Sequence, residues 1–302
     1  MLMVADLESS LANLTTLQQE AATGKALNQP SDNPAGTAEV LALNAQIGRF
    51  QQYAANASDG QAWLNTADSA LGSVVKALNQ VQADVVSGAN SSAQDTTGLQ
   101  ALAQQVLVIK QQVLGLAATT YNNRYIFSGT YGTNPYPQGS ASGVSDPNSP
   151  SYDPAAAYAY AGSTTPVTRV VAPGQTTDVS LTGDQVFGSG ASSVFALLDT
   201  ISKDLASGNS AALSGTDLSQ LKAAMNTVIQ AQGDVGALGA GIASAQANAT
   251  NAVQSLQAQV ADISDADEAK VATELNLAMT SYQVALATTA RVIQPSLVNF
   301  LQ

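Results

Sequence analysis

Residues 218–263, LSQLKAAMNTVIQAQGDVGALGAGIASAQANATNAVQSLQAQVADI, decide the fold. Leu218, Leu221, Met225, Val228, Gln232, Val235, Gly239, Ile242, Gln246, Ala249, Val253, Leu256, Val260 and Ile263 recur at alternating spacings of three and four. A sustained period of 3.5 is the pattern of helices packed side by side as in a coiled coil. A helix over this stretch is roughly 70 Å long at 1.5 Å per residue. Gln232, Gly239, Gln246 and Ala249 are small or polar and weaken the middle of the seam.

The same period recurs upstream. Leu64, Ala67, Leu71, Val74, Leu78, Val81 and Val85 mark the second half of a helix expected over about 34–87, ended by Ser87-Gly88. A third helix carries Leu99, Leu102, Val106, Ile109, Val113 and Leu116, and the short linker before it makes the two antiparallel. At the start, 2–23 reads as an amphipathic helix with Val4, Leu7, Leu11 and Leu14 on one stripe, stopped at Thr23-Gly24. Pro30, Ser31, Asp32, Asn33 and Pro34 form a turn, with Asn33 as N-cap and Pro34 at the first helical position.

Downstream, the period breaks at Ser264, Asp265, Ala266, Asp267 and Glu268. A last helix follows, with Val271, Leu275, Ala278, Tyr282, Ala285 and Val292 on one face and an interruption expected at Pro295. The chain stays apolar through Leu297 and Phe300. Between the helical halves, about 127–190 hold most of the prolines and tyrosines, with strands expected at Thr168–Val171 and Thr177–Leu181. The fold expected is mainly α: a long coiled-coil helical body from both halves of the chain, with a small β-rich inserted domain.

Composition narrows the chemistry. Charged residues are only 11%, against roughly 25% in ordinary soluble proteins, so subunits can meet without desolvating many ions. A net charge of -12 argues against nucleic acid and against an anionic membrane surface. Without cysteine there is no disulfide or thiolate metal site, and without histidine the commonest general base is missing. No enzyme and no cofactor are expected. The N-terminus has no basic region before its apolar positions, so it does not read as a cleaved signal.

Asp262, Asp265, Asp267 and Glu268 could suggest calcium, but no glycine sits at the sharp turn and Thr273 or Asn276 occupies the twelfth position. They read instead as a cap and hinge at a helix start. Gly239-Ala240-Gly241 lacks the third glycine of a dinucleotide loop and lies inside the heptads, so it reads as a close approach of two helix backbones. The terminal stripes are too short to be stable alone and are expected to order against neighbouring subunits.

Three segments resemble the flagellin family. Thr23–Gly36, TGKALNQPSDNPAG, is similar to that family's turn between terminal helix and body. Asn123–Thr130, NRYIFSGT, resembles the entry to the middle domain of its junction-protein branch, and Asp262–Asp267 resembles its spoke between body and last helix. The resemblance covers about 1–130 and 190–302. It implies terminal helices at 1–25 and 266–302, a coiled-coil body at 26–126 and 191–265, and an insertion at 127–190. It also implies a structural subunit that forms the junction between hook and filament and polymerises through its terminal helices.

On this reading Leu7, Leu11, Leu14, Val271, Leu275, Tyr282 and Leu286 make inner-tube contacts. The apolar stripes add Val4, Ala278, Val292, Leu297 and Phe300 to the subunit interface. The hinge falls on Pro30, Ser31, Asp32, Asn33, Pro34, Ser264, Asp265 and Asp267. Implied partners are copies of itself in a ring, the first hook-associated (junction) protein, flagellin and an export chaperone. The implied location is extracellular, on the flagellum, after type III export without a cleaved signal. Two other readings stay open: a filament flagellin, and a glycan-binding module on a helical stalk.

Overall fold

The computed structural model describes residues 2–91, 96–137, 149 and 151–300, with side chains described within 5–289. Val4, Val292, Leu297 and Phe300 therefore lie outside the described side chains. In chain order the main elements are α1 (Leu2–Thr23), α2 (Pro34–Asn90), α3 (Thr96–Ala117), β1 (Thr120–Tyr121), β2 (Arg124–Tyr125), α4 (Pro154–Ala157), β3 (Thr168–Ala172), β4 (Gln175–Asp178), α5 (Gly183–Phe187), α6 (Val194–Ser207), α7 (Ser210–Ala212), α8 (Leu218–Ser264) and α9 (Glu268–Phe300). A π-helical turn, Leu213–Asp217, leads into α8. The chain is mainly α, and its strands form two small antiparallel hairpins.

The chain divides into two compact units, residues 52–249 and residues 1–51 with 250–302. In the first, four helices pack with neighbours antiparallel. Gly88 of α2 meets Leu99 of α3, while at the other end Tyr121 Oη donates to Asp59. Gln232 of α8 donates to Asp68 of α2, and Ser202 of α6 donates to the Ala103 carbonyl of α3. The heptad positions fill the core: Leu64, Leu71, Val74, Leu78, Val81, Val106, Val113, Leu221, Val228 and Ile242 are all buried. Leu102, Leu116, Leu218 and Met225 pack around its rim.

The described residues within 127–190 share that core. Tyr136, Tyr158 and Phe187 gather on Phe195 of α6, with Tyr136 and Phe195 ring centroids 4.8 Å apart, and Phe127 meets Phe187 edge-on. The β3–β4 hairpin leans on α2 where Gly60 lets Val179 approach, 2.8 Å from where a Cβ would stand. Asn56 donates to the Val170 carbonyl, and Arg169 pairs with Asp59 at 2.8 Å.

Beneath this lies a polar knot. Lys110 of α3 and Asp199 of α6 form a buried ion pair at 2.7 Å, and both side chains are almost wholly excluded from solvent. Tyr158 and Tyr152 donate to the other carboxylate oxygen at 2.6 and 3.0 Å. Burial and the adjoining carboxylate push both phenols well above the ordinary tyrosine range.

Several boundaries differ from the expectation. The second strand is Gln175–Asp178 rather than Thr177–Leu181, because Gly174 at positive φ turns the chain early. Beyond Asp178 the ladder continues only as a Val179 N–H donated to Val167. α2 passes through Gly88 to Asn90, where Gly88 makes room for Leu205. α9 runs through Pro295, which costs one backbone bond without ending the helix. At Gly239 the near neighbour is the Gln61 side-chain amide, 3.3 Å from a built Cβ, and not a second backbone.

Candidate functional site

Two features of the other unit concentrate the chemistry available for assembly: the clasp between α1 and α9, and the faces of these helices. Gly24, at φ +68°, closes α1 by donating its N–H to the Glu20 carbonyl. The next residues pair with the turn between α8 and α9: Ala26 N–H donates to the Ser264 carbonyl at 2.8 Å, and Ala266 N–H donates to the Gly24 carbonyl at 2.9 Å. Lys25 forms an ion pair with Asp265 across this bridge, and the Ser264 hydroxyl donates to the same carboxylate. Lys25 first, and Ser264 after it, hold the Asp265 carboxyl below the usual carboxylate range.

Most residues of the expected hinge have a local task. Asp32 accepts from the N–H groups of Asn28 and Gln29 and so fixes the turn. Asn33 accepts from Gly36 N–H at 2.9 Å and caps α2, with Pro34 at its first position. Asp267 accepts from Ala269 and Lys270 N–H and caps α9. Pro30 and Ser31 are exposed at the outside of the turn. Ser264 is buried within it.

From this clasp α1 and α9 run antiparallel and pack along one another. On α9 the shared stripe is Val271, Leu275, Ala278 and Tyr282, of which Val271 is buried and the rest half-buried. On α1 it is Leu7, Leu14 and Leu17, with Leu17 only 6% exposed. Leu17 is absent from the stripe read in the sequence because the polar Ser10 stands in the series 7, 10, 14, 17. Leu11 lies off the stripe at 47% exposed.

The rest of α9 is apolar on both flanks. Leu277 and Val284, seven residues apart, stand 67% and 59% exposed on one side. Met279 and Leu286, also seven apart, stand exposed on the other. At 100° per residue the two pairs fall on opposite sides of the Val271–Tyr282 stripe. A groove of about 410 Å³ lies beside the first pair, lined by Ser10, Leu17, Glu274, Leu277 and Ala278. Leu277, Met279 and Val284 were legible only as apolar residues off the main face. Among the described residues no cluster of acidic, cysteine or histidine side chains could hold a metal. No described helix is long and apolar enough to cross a membrane.

Residues 1–132 match the bacterial flagellin N-terminal helical region, and 218–301 match the bacterial flagellin C-terminal helical region. Together these take in well over half of the chain. It belongs to the flagellin family. Among curated members, flagellar hook-associated protein 3 of Salmonella typhimurium is 27% identical over 62% of this chain and 54% of that protein. Flagellin of Bacillus subtilis is 27% identical over 37% of this chain and 38% of that one. The chain thus aligns with about half of the first of these flagellin-family relatives and less of the second. A flagellar hook-associated protein of Vibrio parahaemolyticus shares the fold, with TM-score 0.66 and 20% identity over 78% of this chain and all of that one. Flagellar hook-associated protein-3 of Legionella pneumophila gives TM-score 0.61 at 14% identity, over 74% of this chain and 98% of that one.

Proposed function

We propose that this flagellin-family chain is a structural subunit at the junction of hook and filament, polymerising through α1 and α9. The carrying observation is the apolar surface on both flanks of α9. One stripe is consumed within the chain, and Leu277 with Val284 and Met279 with Leu286 remain. Two unlike sticky edges favour head-to-tail contacts, which build rings or helices rather than closed pairs. The similarity to flagellar hook-associated protein 3 supports a position at the junction. The subunit interface then comprises Leu277, Met279, Val284 and Leu286 with the exposed Leu11, extended by Val4, Val292, Leu297 and Phe300, while Leu7, Leu14, Val271, Leu275, Ala278 and Tyr282 serve it by holding α1 and α9 together. Pro30, Ser31, Asp32, Asn33 and Pro34, with Ser264, Asp265 and Asp267, form the hinge.

Its partners are copies of itself, the first hook-associated protein below, flagellin above and an export chaperone before secretion. A strain lacking the gene should keep its hooks and shed unpolymerised flagellin into the medium. Normal filaments on that strain would refute the role. The similarity to Bacillus subtilis flagellin favours one other reading, a filament subunit. Purified protein that grows long filaments from fragments would favour that reading.

A further inference from the structure

Outside the terminal helices, residues 52–249 carry a cation without an anion and an acidic groove without a cation. Arg124, in β2, is exposed, and its guanidinium lies over the Trp63 ring at 5.8 Å. Trp63 is buried, so the ring is a fixed platform. Gly132 leaves the Arg124 side chain room, with Nε 3.4 Å from where a Cβ would stand. Among the described residues no carboxylate pairs with Arg124 and no acceptor meets its N–H groups. Other cations of this unit are engaged: Lys110 with Asp199, Arg169 with Asp59, and Lys203 over the Tyr152 ring. Lys76 and Lys222 lack a comparable platform. Arg124 alone combines a held, planar guanidinium with open hydrogen-bonding edges.

The groove has the opposite character. It encloses about 320 Å³ between the β3–β4 hairpin and α8, with Asp178 and Asp234 exposed on its walls. Neither carboxylate has a hydrogen bond or ion pair among the described residues. Leu181, Ala237 and Leu238 supply an apolar lining, and Gln185 adds a polar wall. An apolar lining under two carboxylates suits a side chain with an aliphatic stem and a forked cationic head, which is an arginine.

We propose that Arg124 of one copy docks into the Asp178–Asp234 groove of the next, giving the body its own head-to-tail contact between subunits. This deepens the assembly reading above and rests on it. The occupant is a second copy because the chain carries both complementary parts, the exposed guanidinium and the groove with two carboxylates. A chain of net charge -12 also repels its own copies unless cations are set against acids locally. Contacts between two unlike patches propagate around a ring or along a helix.

The chain has no cysteine, so placed thiols report the contact directly. Full-length Tyr131→Cys, next to Gly132, is mixed with full-length Thr168→Cys, whose residue pairs with Asp178 across the hairpin. A short bismaleimide should join the two several-fold more than it joins Tyr131→Cys to a Lys76→Cys control. Arg124→Asp in the first chain should abolish the excess, and Asp178→Arg/Asp234→Arg in the second should restore it. Circular dichroism confirms that each variant is folded. No excess over the control, or an excess that survives Arg124→Asp, would overturn the contact. The gene-deletion experiment reads the junction role without this contact, so the two conclusions fail separately.

Discussion

Replacing Lys110 with Met tests whether the polar knot holds the body together. The Met side chain retains most of the lysine stem and removes only the charge, leaving Asp199 with the Tyr152 and Tyr158 hydroxyls. Lys110 and Asp199 are 3% and 0% exposed, so the pair belongs to the buried class, in which loss of one partner is expensive. The two remaining phenol donors soften the loss, so the low end of that range applies, about 3 kcal/mol. At about 2–4 °C per kcal/mol for a unit of this size, the melting temperature falls by about 6–12 °C.

Thermal and urea unfolding followed by circular dichroism measure this on the purified monomer. Lys110→Met/Asp199→Asn completes a double-mutant cycle, since the amide oxygen still accepts from Tyr158 while the stranded charge is gone. The double variant should recover more than half of the loss seen in Lys110→Met. If the two single losses simply add, the ion pair contributes no coupling and the reasoning fails.

Asp217 gives a pH dependence. It is 2% exposed, and burial followed by the neighbouring Asp204 pushes its carboxyl up to about 6. A carboxyl raised on folding stabilises the protonated form, so this contribution is full below about pH 4 and is lost as pH rises through about 6. Asp217→Asn should raise the urea midpoint at neutral pH and flatten this loss; a midpoint unchanged at every pH would contradict it. Gly60→Ala should cost about 1–3 kcal/mol by forcing Val179 off α2, and Gly60→Ala/Val179→Ala should recover part of it. Leu277→Ser with Val284→Ser should leave monomer melting within about 0.5 kcal/mol while abolishing incorporation into flagella. Undiminished incorporation would mean that this flank is not an interface.

The helical architecture was open to reading because the body obeys one short period. The heptads at 64–85, 99–116 and 218–242 lie in one buried core. Asn33 and Pro34 could be read as a helix start since capping is local chemistry within three residues. What escaped was long-range. Lys110 and Asp199 stand 89 residues apart, and nothing around either one marks the other. β4 was placed late because the alternating residues Thr177–Leu181 outweighed the Pro173-Gly174 turn. On α9 the periodic stripe was readable, but its exposure was not. Val271 through Tyr282 face α1, and the apolar residues left to solvent sit on the flanks, where periodicity gives no signal.

The clasp also sets a schedule for the chain. Lys25 and Asp265 are 240 residues apart, so α1 leaves the ribosome long before the segment that completes it exists. Until Asp265 and the following turns of α9 emerge, α1 lacks the helix it packs against. A polypeptide stopped anywhere in between would carry its first helix bare. Closure of the clasp therefore waits for α9: only a chain translated through that helix can cover the stripe on α1.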